Sequence, residues 1–156
     1  MQGMDKIKRW LDRAPDRMQR ANQAAAKKLA NEATQHARDL IRTQMFVGAS
    51  IPLSPLYLRK KRRNKDQIFI HTGTMLRLIM PHPVMTHGWD ASWDVGVLPN
   101  TYVNDINYGM VVNVLELGTR DGRVPARPLW GQVQYHITTI YDGVIMDQYR
   151  RAGLIA

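Results

Sequence analysis

The stretch PDRMQRANQAAAKKLANEATQHARDLIRTQMFVG, residues 15–48, decides the fold. Between Pro15 and Gly48 it holds no further proline or glycine. It is dense in Ala, Arg, Lys and Gln, and its apolar residues fall at Met18, Ala21, Ala25, Leu29, Ala33, Ala37, Leu40 and Ile41. Those positions share one face of an α-helix. The spacing predicts one long amphipathic helix over 15–47, about eight turns at 3.6 residues each, with Pro15 in its first turn and Gly48 just past its end. The middle of the stripe is mostly Ala, so helix propensity is high while the area buried per turn is small. Such a helix packs closely or leans on a neighbouring subunit. Residues 1–14, with Ile7, Trp10 and Leu11, read as a separate short helix or an arm, because Pro15 breaks the hydrogen-bond ladder between the two segments.

C-terminal to the helix, Ile51-Pro52-Leu53-Ser54-Pro55 is a punctuated loop in which each proline biases its predecessor toward extended geometry. Arg59, Lys60, Lys61, Arg62, Arg63 and Lys65 follow, six cations in seven positions, whose mutual repulsion favours a solvated loop or frayed helix. Thr72-Gly73-Thr74 can cap a short helix carrying Met75, Leu76, Leu78 and Ile79, stopped by Pro81 and Pro83. Trp93, Val95 and Val97 alternate with Asp94 and Gly96, which reads as the second strand of a hairpin turning at His87 to Ala91. Residues 105–117 read either as a strand, from their β-branched content, or as a helix between Asp105 as N-cap and Gly118. Pro128 in a first turn, then Trp130, Val133, Ile137, Ile140 and Val144, describe a C-terminal helix with a buried stripe, closed by Arg150, Arg151 and Gly153. The expected fold is α+β: a long N-terminal and a C-terminal helix packed on a small antiparallel sheet around residues 84–98. It is a single domain over 1–156, with residues 49–156 as the α+β body.

A chain of 156 residues and 44% apolar composition can close one core. The absence of cysteine excludes disulfides, thiolate metal sites and cysteine nucleophiles. No apolar run approaches the roughly 18 residues of a membrane span, and the basic start leads into an Ala-rich charged segment where an exported chain needs an apolar one. The net charge of +9 is unevenly spread: residues 1–65 hold 16 Lys/Arg against 5 Asp/Glu, residues 66–156 hold 6 against 8. A one-sided field of this kind concentrates a polyanion or an acidic partner. The chemistry of catalysis is missing. The five histidines form no HExxH pair, and there is no GxSxG, GxxxxGK[ST] or GxGxxG segment. No metal, cofactor or enzymatic activity is expected.

Taken in order, Pro52-Leu53-Ser54-Pro55, the basic stretch with Lys60 and Lys61, Thr72-Gly73-Thr74-Met75-Leu76-Arg77, Leu115-Glu116-Leu117-Gly118-Thr119 and Val124-Pro125-Ala126-Arg127-Pro128-Leu129 form a series. It resembles the tail-completion or virion-morphogenesis proteins of long-tailed bacteriophages, components of the neck or tail terminus, over about residues 50–145. The resemblance implies a structural virion protein, made in the host cytoplasm, that completes the tail or joins it to the head as a homo-oligomeric ring. Six copies are favoured, in contact with other phage neck and tail proteins. The residues of the series have their own physical reading. Gly73 permits a tight turn into a helix, Gly118 can take a left-handed conformation, and Pro125 and Pro128 stiffen the backbone around Arg127. Arg127 is then a partner for Glu116, and with Trp130 the pair serves either an interface or the fixing of a loop within one subunit.

Two functions compete on these residues. A ring around a genome channel would turn Arg59, Lys60, Lys61, Arg62, Arg63 and Lys65 toward passing DNA or an acidic neighbour; the plainer reading of the run is a solvated outer face. The alternative is a basic nucleic-acid-binding module that uses the same cations and the N-terminal helix, although only Tyr57 and Phe69 lie near the run as stacking residues.

Overall fold

A computed structural model of the chain describes residues 2–46, 48, 51–52, 55–60, 73–85 and 90–156. Helix α1 runs Gln2–Thr43, α2 Pro55–Lys60, α3 Thr74–Leu78, α4 Tyr108–Leu117 and α5 Trp130–Arg151. Strands β1 (Met80–Met85) and β2 (Ser92–Gly96) form one antiparallel pair, β3 (Tyr102–Val103) and β4 (Ile106–Asn107) another. The architecture is α+β, with two long helices over a small antiparallel β region.

Helix α1 departs from expectation at both ends. It runs unbroken through Pro15, so residues 2–14 are neither a separate helix nor a detached arm. A proline in a helix interior costs about 3 kcal/mol through its lost donor and ring clash. Here the C-terminal end of α5 steadies both flanks. Trp10 Nε1 donates to Gly153 O at 3.4 Å, and the Arg17 guanidinium lies against Gly153 on the other side of the proline. The helix stops at Thr43, earlier than the pattern suggested, because Gln44 adopts φ 57°. Met45 N donates to Leu40 O and Gln44 N to Ile41 O, the two bonds of a Schellman motif built without glycine. Helix α5 ends on the same motif with Gly153 at φ 66°, through Leu154 N to Tyr149 O and Gly153 N to Arg150 O. It starts at Trp130 with Leu129 as N-cap, so Pro128 precedes the helix instead of lying in its first turn.

Helices α1 and α5 run antiparallel. Asn22 Oδ1 accepts from Tyr149 at 2.8 Å, Lys28 pairs with Asp147 at 3.4 Å, and His36 stacks on His136. Ala21 and Ala25 are buried on the side of α1 that carries Asn22 and His36. The stripe of α5 does face inward, with Val133 and Val144 buried and Trp130, Ile137 and Ile140 half-buried. One continuous core joins Ala33, Ala37, Ile41, Phe46, Met75, Ile79, Val112, Leu129 and Val133.

The short elements resolve the ambiguous regions. Residues 105–117 are neither wholly strand nor wholly helix. Asn104 and Asp105, both at positive φ, make the two-residue turn of the β3–β4 hairpin. Asn107, two residues beyond the expected Asp105, then caps α4 through Oδ1, which accepts from Met110 N at 3.0 Å. Gly109 sits inside α4 because an added Cβ would lie 2.5 Å from Pro99 O. The N-cap of α3 is Gly73 in left-handed geometry with no side-chain capping bond, and Thr72 lies outside the described residues. Its carbonyl end is closed from α1, where Arg38 donates to Leu76 O and Ile79 O.

Candidate functional site

Three of the five segments in the resembling series meet in space. Arg127, 2% exposed, extends from the 125–128 segment to the loop after α1. Nη1 donates to Gly48 O at 2.7 Å and to Ile51 O at 2.8 Å, and Nη2 donates to Pro52 O at 3.4 Å. A planar guanidinium with five fixed donors can gather several carbonyls at once. Burial pushes its pKa below the ordinary guanidinium value. The Arg127 amide donates to Leu115 O at 2.8 Å, which ties the same residue to the end of α4.

Glu116 does not pair with Arg127, contrary to expectation; both groups bond to backbone instead. Glu116 Oε2 accepts from Leu129 N at 2.7 Å and Oε1 from Trp130 N at 3.2 Å. Helix α5 has no acidic residue in its first turn and no side-chain cap of its own. The carboxylate of α4 therefore occupies the positive end of the α5 dipole and satisfies its first free amides. Trp130, half-buried, lays its ring on Gly96 at the end of β2, where an added Cβ would come 3.5 Å from Cζ2. Gly118 lets the chain turn beneath this junction: it has φ 74°, and an added Cβ would stand 2.8 Å from both Ala126 N and Val124 O. Thr119 closes the turn, its amide donating to Val124 O and its hydroxyl to Asp121 Oδ1. That hydroxyl and the Arg123 amide hold the Asp121 carboxyl below its ordinary range. Leu117, at the tip, is exposed.

Of the basic run, Arg59 lies exposed on α2 and Lys60 is that helix's last residue. The expectations for Lys61, Arg62, Arg63 and Lys65 lie outside the described residues. The structure thus brings Glu116, Arg127 and Trp130 into one junction.

Two features have no counterpart in the sequence reading. The His36 and His136 rings stack with centroids 4.0 Å apart. Burial, then the His136 charge, lower the His36 pKa, while Asp39 opposes them. Their separation of 100 residues left no local signal. The second is a groove of about 530 Å³ between α1, β2 and α5. Ala26, Ala30, Ala33, Trp93, Ile137 and Tyr141 are among the residues that line it. Trp93 Nε1 is buried and has no hydrogen-bond partner among the described residues.

Among the described residues no three His, Asp or Glu side chains gather as a metal site requires, and no helix is long and apolar enough to cross a membrane. No protein-family model, curated protein or solved structure matches the chain.

Proposed function

We propose that the chain is a structural virion protein that completes a phage tail or joins it to the head, assembling as a homo-oligomeric ring. The observation that carries this reading is uncovered apolar surface at two separate places. On α1, Met4, Ile7 and Leu11 are exposed at 75, 58 and 57%, on turns that precede the Trp10–Gly153 contact or adjoin it. In the β3–β4–α4 region, Tyr102, Ile106, Met110 and Leu117 are exposed. A ring closes through heterologous contacts, one face of a subunit meeting a different face of the next, and so needs two unlike sticky surfaces. The resembling series supports the virion assignment, since its segments at 52, 115–119 and 124–129 build one junction beside the second surface.

The test is made in a phage that encodes the protein. A stop codon early in the gene leaves filled heads and separate tails in micrographs of the lysate, and supplying the protein in trans restores joined particles. Normal joined particles without the protein would overturn the reading.

A further inference from the structure

The α1–α5 pair carries an uncovered apolar surface at each end, and the two are unlike. Residues 4–13 of α1 are all exposed. Met4, Ile7 and Leu11 share one face there, about five helical turns before Asn22, Ala25 and Leu29 and in the same angular positions. That is the face α5 covers further along, where Tyr149 donates to Asn22 and Ala25 is fully buried. The stripe therefore continues beyond its cover: the chain after α5 meets α1 at Trp10, through Gly153 O, and the turns before Trp10 are bare. At the other end lies α4, which Glu116 fastens to the first amides of α5. Its sequence, YGMVVNVLEL, holds no cation and is apolar almost all round, the composition of a helix covered on every side. Val112 is buried, yet Met110, Asn113 and Leu117, spaced as one face, are exposed together with Tyr102 and Ile106 of the β3–β4 hairpin. The 22 residues of α5, at 1.5 Å each, put about 33 Å between the two surfaces, so one chain cannot bring them together.

We propose that residues 2–11 of α1 in one copy of the chain dock on the β3–β4–α4 surface of a second copy. Charge selects this pairing. Residues 2–20 carry Lys6, Lys8, Arg9, Arg13, Arg17 and Arg20 against Asp5, Asp12 and Asp16, an excess of three cations. From Asp90 to Thr119 the chain has no Lys, Arg or His and four carboxylates, Asp90, Asp94, Asp105 and Glu116. Asp105 is exposed in the hairpin turn beside Ile106. Two α1 ends facing each other would bring cations together, and two α4 surfaces would bring Asp105 toward its own counterpart. The unlike pair instead sets Lys8, beside the stripe, toward Asp105. Met4, Ile7 and Leu11 supply anchors at i, i+3 and i+7, the spacing by which a helix lays its apolar face on a partner. Because the surfaces sit at opposite ends, each copy offers one of them to either side and the contact propagates head-to-tail, the heterologous geometry a ring requires. This inference rests on the ring reading and specifies which surfaces meet in it.

The absence of cysteine in the chain gives a clean test. Ile7→Cys and Met110→Cys, both at exposed positions, are made singly and together in the full chain, and each protein is treated with a short bis-maleimide. The expected result is a ladder of covalent multimers from the double variant and about tenfold less covalent product from either single one, since docking raises the local thiol concentration to the millimolar range. The length of α5 keeps a short reagent from linking the two positions within one chain. Ile7→Asp, which sets a carboxylate against the acidic surface, should raise the concentration at which half the protein is assembled about tenfold, with unchanged circular dichroism. Assembly of Ile7→Asp at the same concentration as the unmodified protein would overturn the pairing. Light scattering on untreated protein separates the two claims. A closed oligomer whose double variant gives no ladder overturns this interface and leaves the ring standing, while a monomer without cross-links contradicts both. Dimer from Ile7→Cys alone, equal in amount to the product of the double variant, would show two α1 ends meeting and would overturn the head-to-tail pairing.

Discussion

The α1–α5 pair and the junction around Arg127 hold the same molecule together by opposite means. Between the helices the contact is made by what is absent: Ala21 and Ala25 have no side chain beyond Cβ and are buried, so the two helices meet with little apolar area per turn. At the junction, contact is made by what two long polar side chains add. Arg127 closes the 48–52 loop by donating to its carbonyls, and Glu116 closes the start of α5 by accepting from its amides. The helix pair is many weak, repeated contacts. The junction is a few strong ones, each at a single residue.

That contrast is broken most directly at Arg127. Arg127→Met keeps an apolar stem but leaves the Gly48, Ile51 and Pro52 carbonyls without their donor, and should cost about 3 kcal/mol in urea unfolding. Arg127→Lys should recover little, because one ammonium cannot span the three acceptors. A loss under about 1 kcal/mol would mean that water replaces the guanidinium and that the loop is not held by it. Next in size is the helix pair. Ala25→Leu should cost about 2 kcal/mol by forcing the helices apart, whereas Ala24→Leu on the exposed side should change stability by under about 0.5 kcal/mol. Equal effects at the two positions would show that the close packing is not a constraint.

How much of this was legible in the sequence follows the same division. Periodicity reported the two long helices, strand β2 and the inward stripe of α5, because each repeats one requirement over many residues. Strand β1 starts earlier than the expected sheet over 84–98 and includes Pro81 and Pro83, read from the sequence only as helix stops. Single events escaped it. Nothing in the pattern said that Gln44 would take a left-handed turn, or that contacts of Gly153 with Trp10 and Arg17 would carry α1 through Pro15. Glu116 and Arg127 were visible as a carboxylate and a guanidinium near prolines, and opposite charge suggested a pair. Their real partners are backbone groups, which every residue carries and no composition reveals. The His36–His136 stack depends on the register of two distant helices, which follows only from the folded structure.

Two smaller effects sharpen the comparison. Glu116→Ala should cost about 1 kcal/mol, the usual worth of a helix cap, and Glu116→Gln about half of that, since the amide still accepts but no longer opposes the dipole with a charge. Hydrogen exchange should localise the loss to the first turn of α5. The smallest effect is pH-dependent. The His36 pKa lies below its ordinary value of 6.5 in the folded chain, so the unfolded chain binds the proton more tightly. Its contribution to stability is present above pH 6.5 and is lost as pH falls through the lowered folded value. Melting temperature should therefore drop slightly on acidification below that pH, and His36→Gln should flatten that part of the profile. A profile unchanged by the substitution would show that the stack does not govern it.

The central claim is a closed, head-to-tail assembly of identical chains, and native mass spectrometry of the purified full-length protein addresses it most directly. The account predicts one dominant species at a fixed integer multiple of the 17.9 kDa chain, larger than a dimer and unchanged in copy number over a range of concentration. A two-fold dimer, an open ladder that lengthens with concentration, or a monomer throughout would contradict it.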